Sequence, residues 1–177
     1  SSNTVALNEK VVPIISGTTI NSANSLVTVT FAEDVYNATG GSGDLQAADF
    51  ALSISGSGGV ATIGSATPTS ISKTSQTVWV LGFSTSGIAN GNESIEVVPV
   101  LNSIYDQAGN AAATSQSSNT ATLNEKVLPT LTTVGIASDN ANTDGPWATA
   151  GDIITLTVGS SVARAVPGVT FMSGSVA

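Results

Sequence analysis

The sequence predicts an all-β protein built from antiparallel strands. Three observations support this prediction: apolar residues alternate with polar ones along many short segments, β-branched residues dominate these segments, and Gly, Asn, Asp, Ser and Pro separate them. Alternation with a period of two is the pattern of a half-buried strand, and closely spaced turn residues are typical of β-sandwiches and barrels. We find no convincing helical stripe in the sequence.

Strands follow one another at short intervals along the chain. Val27, Val29 and Phe31 alternate with threonines and give the clearest single strand. The predicted strands lie near residues 12–20, 26–32, 50–54, 60–63, 77–83, 94–100, 120–123, 131–136, 153–158 and 169–171. This set of strands is large enough to form two packed sheets.

Local signals refine this strand pattern. Asn90 and Gly91 lie between the strands that hold Trp79 and Ile95, and an Asn-Gly pair favours the positive φ of a hairpin tip. Pro99 has no backbone donor, so we expect its strand to meet a sheet edge or a bulge there. Trp79 lies on an alternating strand and is predicted to be a core residue.

A long internal repeat divides the chain. Residues 1–13 return as residues 117–129, with ten of thirteen positions identical and a spacing of 116 residues. A repeat at this distance spans a whole domain, whereas solenoids and propellers repeat roughly every 20 to 50 residues. We therefore predict one complete domain with partial neighbours. Residues 1–10 are the closing strand of a preceding repeat or a donor strand, 11–126 are a complete β-sandwich, and 127–177 are the N-terminal part of a second one.

The second sandwich is predicted to be incomplete. Residues 127–177 hold three or four predicted strands, which leave half a core and an open sheet edge. Two explanations remain open: the same polypeptide continues the domain, or another chain supplies the missing strands. Residues 1–10 are the candidate donor, because their copy at residues 117–126 is predicted to close the middle domain.

Composition argues against several classes of function. Twelve acidic and four basic side chains give a net charge of −8, so the chain offers no basic patch for nucleic acid. No segment approaches the roughly 18 apolar residues of a membrane-spanning helix. With neither histidine nor cysteine, the chain cannot build Ser-His or Cys-His nucleophiles or a histidine zinc site. We therefore predict that the protein is not an enzyme.

Three motifs of the middle segment carry a family resemblance. They are Phe31-Ala32-Glu33-Asp34-Val35, Ala48-Asp49-Phe50 and Ile104-Tyr105-Asp106-Gln107-Ala108-Gly109-Asn110. They resemble the tandem immunoglobulin-like repeats of large bacterial surface proteins and adhesins. The resemblance implies tandem immunoglobulin-like antiparallel β-sandwiches in a secreted, extracellular protein of the cell surface, used for adhesion, matrix or surface-layer structure.

The loop after the strand of residues 94–100 is one candidate functional site. Asp106 either accepts hydrogen bonds within its own turn, with Gly109 and Asn110 in left-handed conformations, or joins Glu33, Asp34 or a linker carboxylate around Ca²⁺. Both readings remain open from the sequence alone.

Other oxygen-bearing side chains are candidate Ca²⁺ ligands at the predicted domain junction. Residues 140–145 have the alternating oxygen spacing of a calcium loop, but they lack the glutamate and the flanking helices of a helix-loop-helix hand. The resemblance suggests that Glu125 bridges to Asp139 or Asp106 through Ca²⁺, and a solvated turn is the alternative. The complete set of candidate ligands is Asp106, Glu125, Asp139, Asn140, Asn142, Asp144 and Asp152.

The junction also holds candidate interface residues. They are Asn124, Glu125, Lys126, Pro129 and Trp147. The charged pair keeps the junction hydrated, the proline stiffens the exit from the middle domain, and the tryptophan follows a Gly-Pro pair in a polar loop, where it can cover a domain interface.

These observations favour a structural and adhesive module that acts as an extended spacer, with calcium stiffening the domain junctions. One alternative is a subunit of a self-assembling extracellular filament or surface layer, joined by strand complementation between subunits. A further alternative is a carbohydrate-binding accessory module, which requires an exposed aromatic platform. The expected partners are neighbouring repeats, identical subunits, or a surface or glycan ligand.

Overall fold

Short antiparallel strands build the described part of the chain, which is residues 8–139 and 151–161 of the computed structural model. The chain divides into two compact units, Ser1–Val127 and Leu128–Ala177. Within the described residues no helix is long and apolar enough to cross a membrane. The prediction of an all-β protein with several antiparallel sheets is confirmed.

The first unit contains nine of the described strands. They are β1 (Ile15–Ile20), β2 (Leu26–Phe31), β3 (Phe50–Ser55), β4 (Thr62–Ile63), β5 (Ser70–Lys73), β6 (Val78–Gly82), β7 (Thr85–Ser86), β8 (Ser94–Pro99) and β9 (Thr120–Thr122), with a 3₁₀ turn at Ala47–Asp49. Sequence analysis missed β5 and β7. β5 is mostly polar with one half-buried residue, Ile71, and β7 has only two residues, so neither shows an alternating pattern.

These strands form two principal sheets and a small ribbon. The four-stranded sheet has the order β1-β2-β6-β5, the three-stranded sheet has the order β3-β8-β9, and β4 pairs with β7. All pairs are antiparallel. In the four-stranded sheet Val29 is opposite Trp79, and in the three-stranded sheet Ile54 is opposite Ile95.

Both principal sheets contribute to a common core. Phe31 of β2 and Phe50 of β3 bring the two sheets into contact, with ring centroids 6.3 Å apart at an interplanar angle of 48°. Trp79 is 1% exposed, as expected of a core residue, and its indole N–H donates to the carbonyl of Gln76 at 3.1 Å. The other core side chains of these two sheets are Ile15, Val27, Val29, Leu52, Leu81, Ile95 and Val97. The arrangement is consistent with a β-sandwich.

Two local predictions have mixed outcomes. Gly91 has a φ of +87°, as the Asn-Gly pair predicts. The pair does not form a hairpin tip, because β6 and β8 belong to different sheets and the loop carries the chain from one to the other. Pro99 is the last residue of β8, beyond the Ser94–Glu96 segment that pairs with β9, so its missing N–H interrupts no ladder on that side.

The described part of the second unit is one hairpin of β10 (Leu131–Ser138) and β11 (Ile154–Ser160). Val134 is opposite Val158, and Ile136 is opposite Leu156, so one face of the hairpin is apolar. The Asp139 carboxylate accepts a hydrogen bond from the N–H of Ile153 at 2.7 Å and ties the two strand ends together. The strand predicted near residues 169–171 lies outside the described residues.

A buried carboxylate organises one end of the first unit. Glu93 is 1% exposed, and its two oxygens accept hydrogen bonds from the backbone N–H groups of Val60, Ala61, Asn90 and Gly91 at 2.8, 2.9, 3.0 and 3.1 Å. Burial alone raises the pKa of Glu93, but the backbone donors outweigh it and lower the pKa from 4.5 to about 2.

We predict that Glu93→Gln destabilises the first unit at pH 7 by about 2–3 kcal/mol, because an amide cannot accept four N–H bonds and its own N–H₂ opposes them. Because folding lowers the pKa of Glu93, its carboxylate stabilises the fold fully at pH values above 4.5, the ordinary pKa of a glutamate. This contribution is lost as the pH falls toward about 2, the pKa in the folded state. Urea unfolding at pH 7, 4 and 3 checks this. The difference in the free energy of unfolding between the variant and wild type should narrow as the pH falls. The control is Glu96→Gln, at a half-buried position on β8, which should lower the free energy of unfolding much less.

Candidate functional site

Three carboxylates meet at the other end of the first unit. Glu9, Glu33 and Asp106 line an open cavity of about 330 Å³ together with Gln107 and Ala108. The three acids come from separate parts of the sequence: the segment before β1, the turn after β2 and the loop after β8. We call this group the acidic pocket. It brings Asp106 together with Glu33 and a linker carboxylate, as one of the two readings of the sequence requires.

The loop that holds Asp106 is closed by its own hydrogen bonds. The backbone N–H of Asn110 donates to Asp106 Oδ1 at 2.8 Å, and the N–H of Gly109 donates to the Asp106 carbonyl at 3.2 Å. Gly109 has a φ of +90°, as predicted, whereas Asn110 does not adopt the left-handed conformation that the sequence suggested. Asp106 is 2% exposed, so this turn both buries the carboxylate and supplies it with a hydrogen-bond donor.

The side chain of Asn110 joins the linker to this loop. Its Nδ2 donates to Asp106 Oδ2 at 2.7 Å and to Glu9 Oε2 at 2.7 Å. The same group also lies 3.3 Å from the carbonyl oxygen of Glu9. One amide therefore bridges two carboxylates and holds the segment before β1 against the domain.

Glu33 and Asp106 of the acidic pocket have pKa values shifted in opposite directions. Burial raises the pKa of Glu33 above its ordinary value of 4.5, and the negative charges of Asp106 and Glu9 raise it further. Burial would also raise the pKa of Asp106, but hydrogen bonds from Asn110 outweigh it and lower the pKa. Asp106 is thus stabilised as the anion, while ionised Glu33 is destabilised.

The acidic pocket does not by itself show a metal site. Within residues 8–139 and 151–161, no group of three or more His, Cys, Asp or Glu side chains is arranged to hold a metal ion. Calcium at Asp106 therefore stays a prediction from the sequence. The structure links Glu9 and Asp106 through the side-chain amide of Asn110, which donates a hydrogen bond to each carboxylate.

A second set of contacts lies near the C-terminal end of the first unit. The Nδ2 of Asn24 donates to the carbonyl of Asn124 at 2.7 Å, and the N–H of Asn124 donates to Asn24 Oδ1 at 2.9 Å. Asn24 is 6% exposed and has a φ of +55°, which places its amide in this position. The N–H of Lys126 donates to the carbonyl of Ala89 at 2.7 Å. The Asn124 and Lys126 contacts anchor the exit of the chain to its own domain.

Asp106 and Glu125 are too far apart for a single Ca²⁺ ion to bridge them, as one of the sequence predictions required. Glu125 packs beside Gly91, which precedes β8, whereas Asp106 follows the end of β8. A six-residue strand spans roughly 20 Å, so the two carboxylates lie at opposite ends of the domain.

The remaining candidates divide between the described and undescribed residues. Asp139 and Asp152 flank the ends of the β10–β11 hairpin, and Pro129 is exposed just before β10. Asn140, Asn142, Asp144 and Trp147 lie outside the described residues.

Sequence reasoning missed two residues that matter for these contacts, Glu93 and Asn24, and identified Glu9 only as a linker carboxylate. Glu93 lies beside the Asn-Gly pair, and nothing in its local pattern shows that the N–H groups of Val60 and Ala61, more than 30 residues earlier, also converge on it. Asn24 lies in the β1–β2 turn, where its role depends on a residue 100 positions away. Glu9 was accessible from the sequence, because the repeat aligns it with Glu125.

We predict that Glu33→Gln raises the melting temperature at pH 7, since it removes an ionised carboxylate from the acidic pocket. A raised pKa in the folded state means that the penalty is present when Glu33 is ionised and disappears as pH falls and the group protonates. Thermal unfolding from pH 7 to 3 should show the gain fading toward acid pH. Asp34→Asn, which changes a neighbouring acid outside the pocket, should not give a pH-dependent gain.

We predict that Asn110→Asp loosens the loop and releases Glu9, because it removes the bridging donor and adds a fourth carboxylate. The expected destabilisation is about 1–3 kcal/mol, with faster cleavage after Lys10 by a lysine-specific protease. Gln107→Glu is the matched control, because it adds the same charge to the pocket and keeps the donors of Asn110. Equal effects of the two substitutions would show that charge alone, and not the hydrogen bonds, holds the segment.

Comparison with known proteins gives no relative for this chain. No family model, curated protein or solved structure matches it. The contacts at the two ends of the first unit are the features that bear on its function.

Proposed function

We propose that the chain is a structural and adhesive module of an extracellular bacterial surface protein, in which tandem immunoglobulin-like sandwiches act as an extended spacer. One observation carries this proposal: the two copies of the Asn-Glu-Lys motif are anchored to the first unit at its opposite ends. The copy at residues 124–126 is held to the domain that it ends, and the copy at residues 8–10 is held to the domain that it precedes.

Hydrogen bonds hold the motif at both ends of the first unit. At the exit, Asn124 and Lys126 bind their own domain through Asn24 and the carbonyl of Ala89. At the entrance, the middle residue of the motif, Glu9, binds Asn110. When one motif joins two such domains, its first and third residues bind the preceding domain, and its second, which packs beside Gly91 of that domain, also reaches Asn110 of the following one. A junction of this kind has no free linker, so it transmits orientation from domain to domain.

Other features support a mechanical rather than a recognition role. Four of the six aromatic rings in the described residues are buried and are not available to a glycan: Phe31, Phe50, Trp79 and Phe83. The other two, Tyr36 and Tyr105, are half-buried and are partners in one antiparallel bridge. Antiparallel ladders in both principal sheets enclose the core, and these resist extension through their hydrogen bonds.

The junction can be tested in a chain that contains a second copy of residues 11–126 directly after residue 126. The first Asn124-Glu125-Lys126 then has a following domain with its own Asn110. We expect a narrow distribution of interdomain orientations in this protein. We expect Glu125→Ala in the first copy to broaden it by small-angle scattering and by NMR relaxation, with the melting temperature little changed.

Asp34→Asn in the second copy is the control, because it removes a charge near the junction without touching Asn110. Equal interdomain flexibility of the parent and the Glu125→Ala protein would contradict the proposed junction.

A filament or layer joined by strand complementation is the second candidate function. The sequence identity between the two copies of the repeated segment, residues 1–10 and 117–126, favours it.

A further inference from the structure

β9 closes the three-stranded sheet through a small set of contacts. Asn119 is 3% exposed, and its Nδ2 donates to the carbonyl of Val97 at 3.0 Å, while its own carbonyl accepts from the N–H of Val97 at 2.8 Å. Leu123 is 2% exposed in the core, and its N–H donates to the carbonyl of Glu93 at 2.8 Å. Together with Asn124, which binds Asn24, these residues cover the edge of β8.

The chain carries a second copy of this closing segment at residues 3–8. The side chains that make the contacts are unchanged in it, and only two strand positions differ. The identical pairs are Asn3 and Asn119, Thr4 and Thr120, Leu7 and Leu123, and Asn8 and Asn124. Every side chain that the edge of β8 needs is therefore present twice in one polypeptide.

The two differences are compatible with the same site. Val5 takes the place of Ala121, which is partly buried and packs against the core. Valine has a higher strand propensity than alanine and more apolar surface to bury. Ala6 takes the place of Thr122, whose side chain is exposed, so a smaller residue is tolerated.

We propose that the site beside β8 is an interaction surface for residues 3–8 of a second copy of this chain, which pair with it as an antiparallel closing strand in place of β9. This goes beyond the spacer function, because it joins separate chains. β9 of the same chain competes at a high effective concentration, so exchange is expected where β9 is weakened. Glu9 stays bound to Asn110 of the donor, so no free linker separates donor from acceptor.

The test uses the full chain with its own closing strand weakened by Asn119→Ala and Leu123→Ala. Light scattering after size exclusion should show wild type as a monomer and this variant as concentration-dependent oligomers. The matched control adds Asn3→Ala and Leu7→Ala to the same chain, which disables the donor as well. The control should stay monomeric at every concentration at which the first variant associates.

A peptide of residues 1–10 provides a second measurement, which remains decisive if the weakened chain does not fold alone. Added to the control chain, the peptide should restore the cooperative thermal transition. The same peptide with Asn3→Ala and Leu7→Ala should need at least a tenfold higher concentration. Oligomers that persist in the control chain, or peptides that act equally or not at all, would overturn the proposal.

Discussion

The first unit depends on the burial of one carboxylate, that of Glu93. A buried anion is tolerated only when donors surround it, and here four backbone N–H groups from two loops converge on its oxygens. Gly59 permits this approach, since a Cβ there would lie 2.5 Å from Glu93 Cγ. The loops fixed in this way carry the carbonyls of Glu93 and Ala89, which accept from Leu123 and Lys126. The closing strand and the exit of the chain therefore rest on this one interaction.

The two ends of the unit use polar groups for different purposes. At the Glu93 end, the anion is fully satisfied and its pKa is low, so it behaves as a fixed structural element. At the acidic pocket, Glu9 and Asp106 share the side-chain donors of one asparagine, and the pKa of the third carboxylate, Glu33, is raised. The first arrangement stabilises the fold, whereas the second gives up some stability to hold the segment that arrives from outside the sheets. That difference fits the junction between successive domains that we propose.

Much of the fold follows from local patterns, but pairing does not. The alternation of Val27, Val29 and Phe31 places β2 within one residue of its observed end, because a period of two survives in any half-buried strand. The same alternation does not say which strands are neighbours. Asn90 and Gly91 were predicted at a hairpin tip, yet the chain there changes sheets, since sheet pairing depends on contacts remote in sequence. Asp106 was identifiable from its turn motif, and Glu33 was one of the partners that the sequence suggested, but only the folded chain shows that Glu33 and Glu9, and not Asp34, line the pocket beside it.

The sequence by itself determined the all-β class, most strand positions and the repeat that relates residues 8–10 to residues 124–126, because these are properties of periodicity and identity along one chain. Only the tertiary structure decided which surface of the first unit each copy of the repeated motif binds. Glu9 and Glu125 are the same residue type in the same motif, and they differ only in the surface that each meets. Hydrogen-bond partners about 100 residues apart are set by how the two sheets pack, and no local pattern encodes that distance.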